Sequence, residues 1–481
     1  MSKNVRKWGI VLLALSVVFG FRYLPAPQGL SADGMQVIGI FVGVLVLWLS
    51  VGIDWPSLVC IAALAFVPSL GMTEVLKSSF GNQTFAFLLF TFICTYCLAT
   101  TSLIKRIALA FVTHPLARKG AWSMTVFFLF SVLVIGLFIS PSVLFFIMLP
   151  ILEEIYAIMG LKKGDPFAAM LMIGLVGCTS LSSAMTPIAH VFPVLALSVF
   201  ETLTSQGISY GTYMMMAIPA GLLLFGLMLL VFRFMMRPST ASFKSLSKQD
   251  FATFETALMN TREKLIVIVF AGVVLLWILP GLVKGILPDF SAFIDQYGTA
   301  MPPLLGVILM AMIRVQDKPL LRLDEAMSKG VSWPSLIMTA STLALGAAMT
   351  HKGVGLTDFI TQSILPFTQQ LSMVLLLVLF VVWAAVQSNL SSHMVTAQLV
   401  TSIAVPVALS TGMLSAPAIA CVVGFIASIG SAAPPSMPYV AIAGSSGWAD
   451  AMTLLSYGFI TMLLTIAVAA LCASPLAVLL F

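Results

Sequence analysis

Charge is what this chain has least of. Of its 481 residues only 8% are Asp, Glu, Lys or Arg, against 60% hydrophobic residues and a mean hydropathy of +1.10. A soluble domain carries roughly a quarter charged residues, so this chain has too little polar surface to stay dissolved. Soluble multidomain enzymes, nucleic-acid binders and disulfide scaffolds are excluded on that ground. Acidic residues are also missing from the middle of the apolar runs: Glu153, Glu154 and Glu201 fall towards segment ends, which argues against a carboxylate proton relay. The six cysteines lie in or beside apolar runs, where a thiol behaves as a small hydrophobe. Cys94 and Cys97 form a C-x-x-C with no second pair, so packing is expected there rather than metal or redox chemistry. No cofactor is expected.

What fills the chain instead is a series of apolar runs from Trp8 to Phe481, each about 17–25 residues, the length a helix needs to cross a hydrocarbon core. The chain reads as an all-α polytopic membrane protein in contact with lipid. The basic start at Lys3, Arg6 and Lys7 precedes a retained first helix rather than a cleaved signal, since no convincing small-residue cleavage site follows. Fifteen full crossings would scatter positive charge over both faces. If 121–160 and 371–411 are re-entrant hairpins, eleven transmembrane helices remain, and nineteen Lys and Arg residues fall inside against four outside (Arg22, Lys77, Lys284 and Lys352). That asymmetry is the positive-inside signal. It implies a multi-pass plasma membrane protein with a cytoplasmic N-terminus and its C-terminus outside. The net charge of +6 is therefore a topology signal and does not point to nucleic acid.

The two hairpins are spaced as copies. Ser140-Pro141-Ser142 interrupts the first and Ser388-Asn389-Leu390 the second, 248 residues on; Thr186-Pro187 breaks a helix at 166–200 and Ala433-Pro434 another at 416–445, with Pro187 and Pro434 separated by 247. An odd number of crossings between copies inverts them, a plan common among secondary transporters. The expected organisation is an N-terminal helix and outer loop (1–34), a first inverted repeat (35–236), a cytoplasmic connector (237–263) and a second inverted repeat (264–481).

A hairpin that ends inside the bilayer exposes backbone amides, tolerable only where they line a polar cavity. Two tips facing each other would create a midplane site whose helix N-termini suit carboxylates. The expected substrate-binding residues are Ser140, Pro141, Ser142, Thr186, Pro187, Ser388, Asn389, Leu390, Ala433 and Pro434. Unwound backbone is expected over 177–190 and 430–438, rich in Ser, Thr and Pro. His190 and His393 stand close enough to the breaks to supply charge compensation, whereas His114 and His351 read as surface residues.

With those motifs the chain resembles the divalent-anion:sodium symporter (DASS) family of dicarboxylate and citrate carriers, over roughly residues 35–481. The resemblance implies tips carrying Ser-Asn-Thr, in which Asn and Thr hold carboxylates and Ser, Asn and nearby carbonyls hold sodium, together with a homodimer of scaffold and transport domains working as an elevator. This sequence departs from that pattern. Pro141 and Ser142 stand for Asn and Thr in the first tip, and Leu390 stands for Thr in the second; Met185-Thr186 replaces Gly-Thr, and Val191-Phe192-Pro193 replaces Pro-Pro-Asn. The expectation is a carrier of C4 or C5 dicarboxylates working as a sodium-independent exchanger, with imidazoles and dipoles in place of cations. The alternative is a sodium-coupled di/tricarboxylate symporter, in which Ser140, Ser388 and Asn389 would hold Na+. An intramembrane hydrolase built on Gly444-Ser445-Ser446-Gly447 has weak support, because such clusters are ordinary helix-end punctuation.

Overall fold

Apolar runs this long can satisfy their backbone in lipid only as helices, and the computed structural model is mostly helical. It describes residues 3–27, 29–240, 243, 259–283, 287, 289–290, 293, 296–356, 359, 372–390, 392–432 and 437–481. The first half runs through α1 (Lys3–Gly20), α2 (Ala32–Ser50), α3 (Trp55–Ala65), α4 (Gly71–Ser78), α5 (Gln83–Ala99), α6 (Leu103–Val112), α7 (Ala121–Gly136), α8 (Pro141–Met159), α9 (Pro166–Met185), α10 (Val191–Thr204) and α11 (Tyr210–Val231). The second half runs through α12 (Thr261–Val283), α13 (Met301–Met312), α14 (Leu323–Lys329), α15 (Trp333–Thr350), α16 (Met373–Leu390), α17 (His393–Thr411), α18 (Ala416–Ala427), α19 (Pro438–Ser445), α20 (Ala451–Val468) and α21 (Ser474–Leu480).

Helix starts are set locally. The side chains of Asn82, Asp165, Ser209, Ser392, Ser415 and Asp450 each accept from a backbone N–H in the first turn of the helix that follows, satisfying donors that have no partner within the helix. Pro141 sits at the start of α8, where its missing N–H costs nothing.

Among the described residues seven helices are long and apolar enough to cross a membrane, or nine if each of two bent pairs counts as one span. The expected eleven exceeds this because several apolar runs are built from pieces. α3 has 11 residues, α13 has 12 and α18 has 12, and at about 1.5 Å per residue such helices reach only part of the way across. The bent pairs are α4 with α5, at 44°, and α14 with α15, at 77°.

The centre of the molecule is formed by α9 and α17, whose apolar windows are 94% and 78% buried, against 33% for the segment Met452–Leu480. Small residues permit this packing. A Cβ on Gly136 would lie 2.2 Å from Ser182 Oγ, so only glycine lets α7 approach α9. The two halves are also joined by polar contacts, with Ser180 Oγ 2.7 Å from the Tyr439 hydroxyl and Ser183 Oγ donating to Ser428 O at 3.3 Å.

Two further sets of contacts join segments near helix ends. In one, Arg22 pairs with Asp33 at 3.1 Å, Ser69 N–H donates to the same carboxylate at 3.0 Å, and Ser31 Oγ donates to Val354 O at 2.8 Å. In the other, Arg262 donates to Leu320 O at 2.6 Å, Ser102 N–H to Glu263 at 2.6 Å and Trp448 Nε1 to Glu153 at 3.2 Å, while the Arg233 guanidinium lies 4.7 Å from the Trp122 ring centre.

Candidate functional site

α7 ends at Gly136, residues 137–140 turn, and α8 begins at Pro141 with Ser140 as its N-cap. This is the first tip. The second differs from the sequence expectation, because Ser388, Asn389 and Leu390 remain in the last turn of α16 and the chain turns only after them. Burial explains the difference. Ser388 and Asn389 are enclosed, and their polar groups are satisfied against the neighbouring break, so the helix can continue through them.

The partners of Asn389 account for the whole amide. Nδ2 donates to Ala385 O at 2.9 Å and to Ile429 O at 3.4 Å, and Oδ1 accepts from the N–H groups of Ser431 and Ala432, both at 3.2 Å. Ser388 Oγ donates to Ala427 O at 3.0 Å, the carbonyl that also lies 2.7 Å from His393 Nδ1. The imidazole fits because residue 430 is glycine: a Cβ there would lie 2.8 Å from two ring atoms. In the first half, His190 Nε2 is 2.8 Å from Gly136 O, and His190 Nδ1 is buried without a partner. Each histidine thus ties a hairpin to the break beside it.

The first break is shorter than expected. α9 stays helical through Met185, and three of its hydroxyls bond their own helix: Thr179 to Leu175 O at 2.8 Å, Ser182 to Thr179 O at 3.0 Å and Ser183 to Ser180 O at 2.7 Å. Only residues 186–190 are unwound. Thr186 is buried, with its Oγ1 accepting from Ile188 N–H at 3.0 Å. Ala189 adopts φ +60°, a left-handed conformation that a non-glycine residue holds only where its surroundings enforce it. In the second half α18 ends at Ala427. Ala433 and Pro434, expected there as site residues, lie outside the described residues.

A cavity of about 490 Å³ opens between these elements. Of the expected residues, Ser140, Pro141, Ser142, His190 and His393 line it; Thr186, Pro187, Ser388, Asn389 and Leu390 do not. Leu390 is 65% exposed. Further lining comes from residues that sequence reasoning missed: Ile53, Phe92, and, where α14 bends into α15, residues 329–332, Pro334 and Ser335. The repeat offers a signal that would have found them, since Gln83 and Trp333 begin the long arms of the two bent pairs and stand 250 residues apart. The lining mixes serine hydroxyls and imidazoles with apolar side chains and contains no carboxylate among the described residues, a composition suited to a small anion. Cys94 and Cys97 lie apart from it, donating separately to Pro303 O at 3.3 Å and Leu320 O at 3.4 Å.

Residues 5–481 match the family described as the sodium:sulfate symporter transmembrane region. A membrane protein of Cupriavidus necator is 21% identical over 376 residues, covering 73% of this chain and 69% of that protein. Among solved structures, the YdaH transporter of Alcanivorax borkumensis is similar with a TM-score of 0.53 at 12% identity, covering 98% of this chain and 97% of its own. MtrF of Neisseria gonorrhoeae, from work on a class of antimetabolite efflux pumps, gives a TM-score of 0.50 at 12% identity, over 98% and 94% of the two chains. At such identities the structural likeness concerns the fold alone.

Proposed function

Because the chain belongs to the sodium:sulfate symporter family, the divalent-anion:sodium symporters, and is thus a membrane transporter and not an enzyme, we propose that it is a sodium-coupled symporter of C4 and C5 dicarboxylates and related tricarboxylates. The observation that carries this reading is the cavity where the first tip, the first break and the start of α17 converge without a carboxylate among the described lining residues. A doubly negative solute in such a site needs counter-charge, because burying an unpaired charge in low dielectric is costly. A co-bound sodium ion supplies it, with Ser140 as its candidate holder; Ser388 and Asn389, expected beside it, are bonded to backbone away from the cavity.

The topology we propose is eleven crossings plus two re-entrant hairpins in an inverted repeat, with the N-terminus inside and the C-terminus outside. The contacts between distant segments support it. Asp33, Ser69 and Val354 meet on the face expected outside, while Arg262 with Leu320, Ser102 with Glu263, Glu153 with Trp448 and Arg233 with Trp122 meet on the face expected inside. On this topology Ile53 and Lys329 are cytoplasmic, so the cavity faces the cytoplasm. A homodimer moving its tips as an elevator is part of the same proposal.

A second reading, sodium-independent exchange, is favoured by one observation. His190 and His393 bond the carbonyls of Gly136 and Ala427, groups that could otherwise coordinate a cation. Uptake of succinate, malate, fumarate, 2-oxoglutarate, citrate and sulfate into proteoliposomes separates the two. Symport requires accumulation driven by an inward sodium gradient with empty vesicles. Uptake that ignores sodium and requires internal dicarboxylate overturns symport in favour of exchange.

A further inference from the structure

Lys329 is the one charged residue that lines the cavity among the described residues, and no motif pointed to it. It closes α14 at the 77° bend into α15. Its Nζ is 3.0 Å from Glu325 Oε1, with side chains 65% and 35% exposed, and that carboxylate also accepts from the Tyr96 hydroxyl at 3.2 Å. An ion pair so exposed is weak and exchangeable, so an arriving anion can compete for the ammonium. Beside Lys329 on the cavity wall stand Ser332 and Ser335, their hydroxyls 2.8 Å apart. His190, buried and with Nδ1 unpartnered, lines the same cavity.

The first half has a counterpart. Lys77 lies in the last turn of α4, one turn after Glu74 and just before the bend into α5, 252 residues before Lys329. It does not line the cavity, and it is one of only four cations on the expected outer face. Each bent pair therefore carries an acidic residue, then a lysine, then a bend, one copy on each face.

We propose that Lys329, with Ser332 and Ser335, forms a half-site on the cytoplasmic rim that holds one negative end of a divalent oxyanion while the tips hold the other, and that Lys77 does the same when the cavity opens outward. The inference rests on the transport reading above and adds sidedness to it. Fixed charge at the mouth of a low-dielectric cavity raises the local concentration of its counter-ion, and a lysine on one rim acts on one face only.

The test measures half-saturating concentrations of succinate and of sulfate separately at each face, in proteoliposomes of known protein orientation. Lys329→Gln is expected to raise the cytoplasmic value about ten-fold and leave the outer value within about two-fold, and Lys77→Gln to do the reverse. Lys329→Arg should restore the cytoplasmic value. Glu325→Gln, which frees the ammonium, should lower it. Equal changes at both faces in Lys329→Gln, or none at either with Glu325→Gln also silent, overturn the half-site. Wild-type protein that carries neither anion overturns the transport reading itself, a result distinct from both.

Discussion

The two hairpin tips occupy equivalent places in the chain and have been put to different use. At the first, residues 140–143 all line the cavity, and the tie to the neighbouring break is a single imidazole from His190. At the second, Ser388 and Asn389 are buried and stapled to the break by side-chain bonds from Ser388, Asn389 and His393, and among the described residues of this tip only 392–394 reach the cavity. Even the histidines run in opposite directions: the first reaches from break to hairpin, the second from hairpin to break. On the proposed reading the first tip meets the ligand, and the second holds the frame against which the ligand sits. The asymmetry follows from the residues. Proline at 141 cannot donate from its backbone, so the first tip has little with which to staple itself, whereas an amide at 389 can satisfy donors and acceptors together.

Substitutions can break this comparison. The largest effect is expected for Asn389→Ala, which strands several buried backbone groups; it should destabilise the protein by about 2–4 kcal/mol, read as a fall in melting temperature in detergent, and abolish transport with it. Next come the histidines. His190→Ala leaves Gly136 O without its side-chain donor and should cost about 1–3 kcal/mol, while His393→Ala should cost less, because Ser388 still donates to Ala427 O. Thermal denaturation of the two variants side by side checks the order. Ser142→Ala should raise the half-saturating concentration about three- to ten-fold through loss of one ligand-facing hydroxyl, with an unchanged melting temperature; a matching fall in stability would mean that the first tip is a staple too. The smallest effect is expected for Leu390→Thr. That exposed site should change stability by less than about 0.5 kcal/mol, and transport affinity should stay within about two-fold of wild type.

The helical, membrane-embedded character of the chain was legible in its apolar runs, and the family in its Ser-Pro-Ser, Ser-Asn-Leu and downstream proline breaks. Two features were not. A window long enough to detect a crossing averages away a seven-residue helix such as Leu323–Lys329, so the rim that carries Lys329 gave no signal of its own. Nor does composition distinguish a hydroxyl that faces a ligand from one that bonds its own helix, which is why Thr179, Ser182 and Ser183 suggested unwound backbone where α9 is continuous. Asn389 posed the same difficulty: its residue type suits a carboxylate, but its surroundings direct both ends of the amide to backbone.

The claim on which the rest depends is that the first tip lies inside a cavity shared with a small dianion. Ser142→Cys, labelled from the cytoplasmic face with a small membrane-impermeant thiol reagent, tests it directly. The expected result is modification that slows several-fold when saturating dicarboxylate is present. Modification at the same rate with and without every anion in the panel would contradict it.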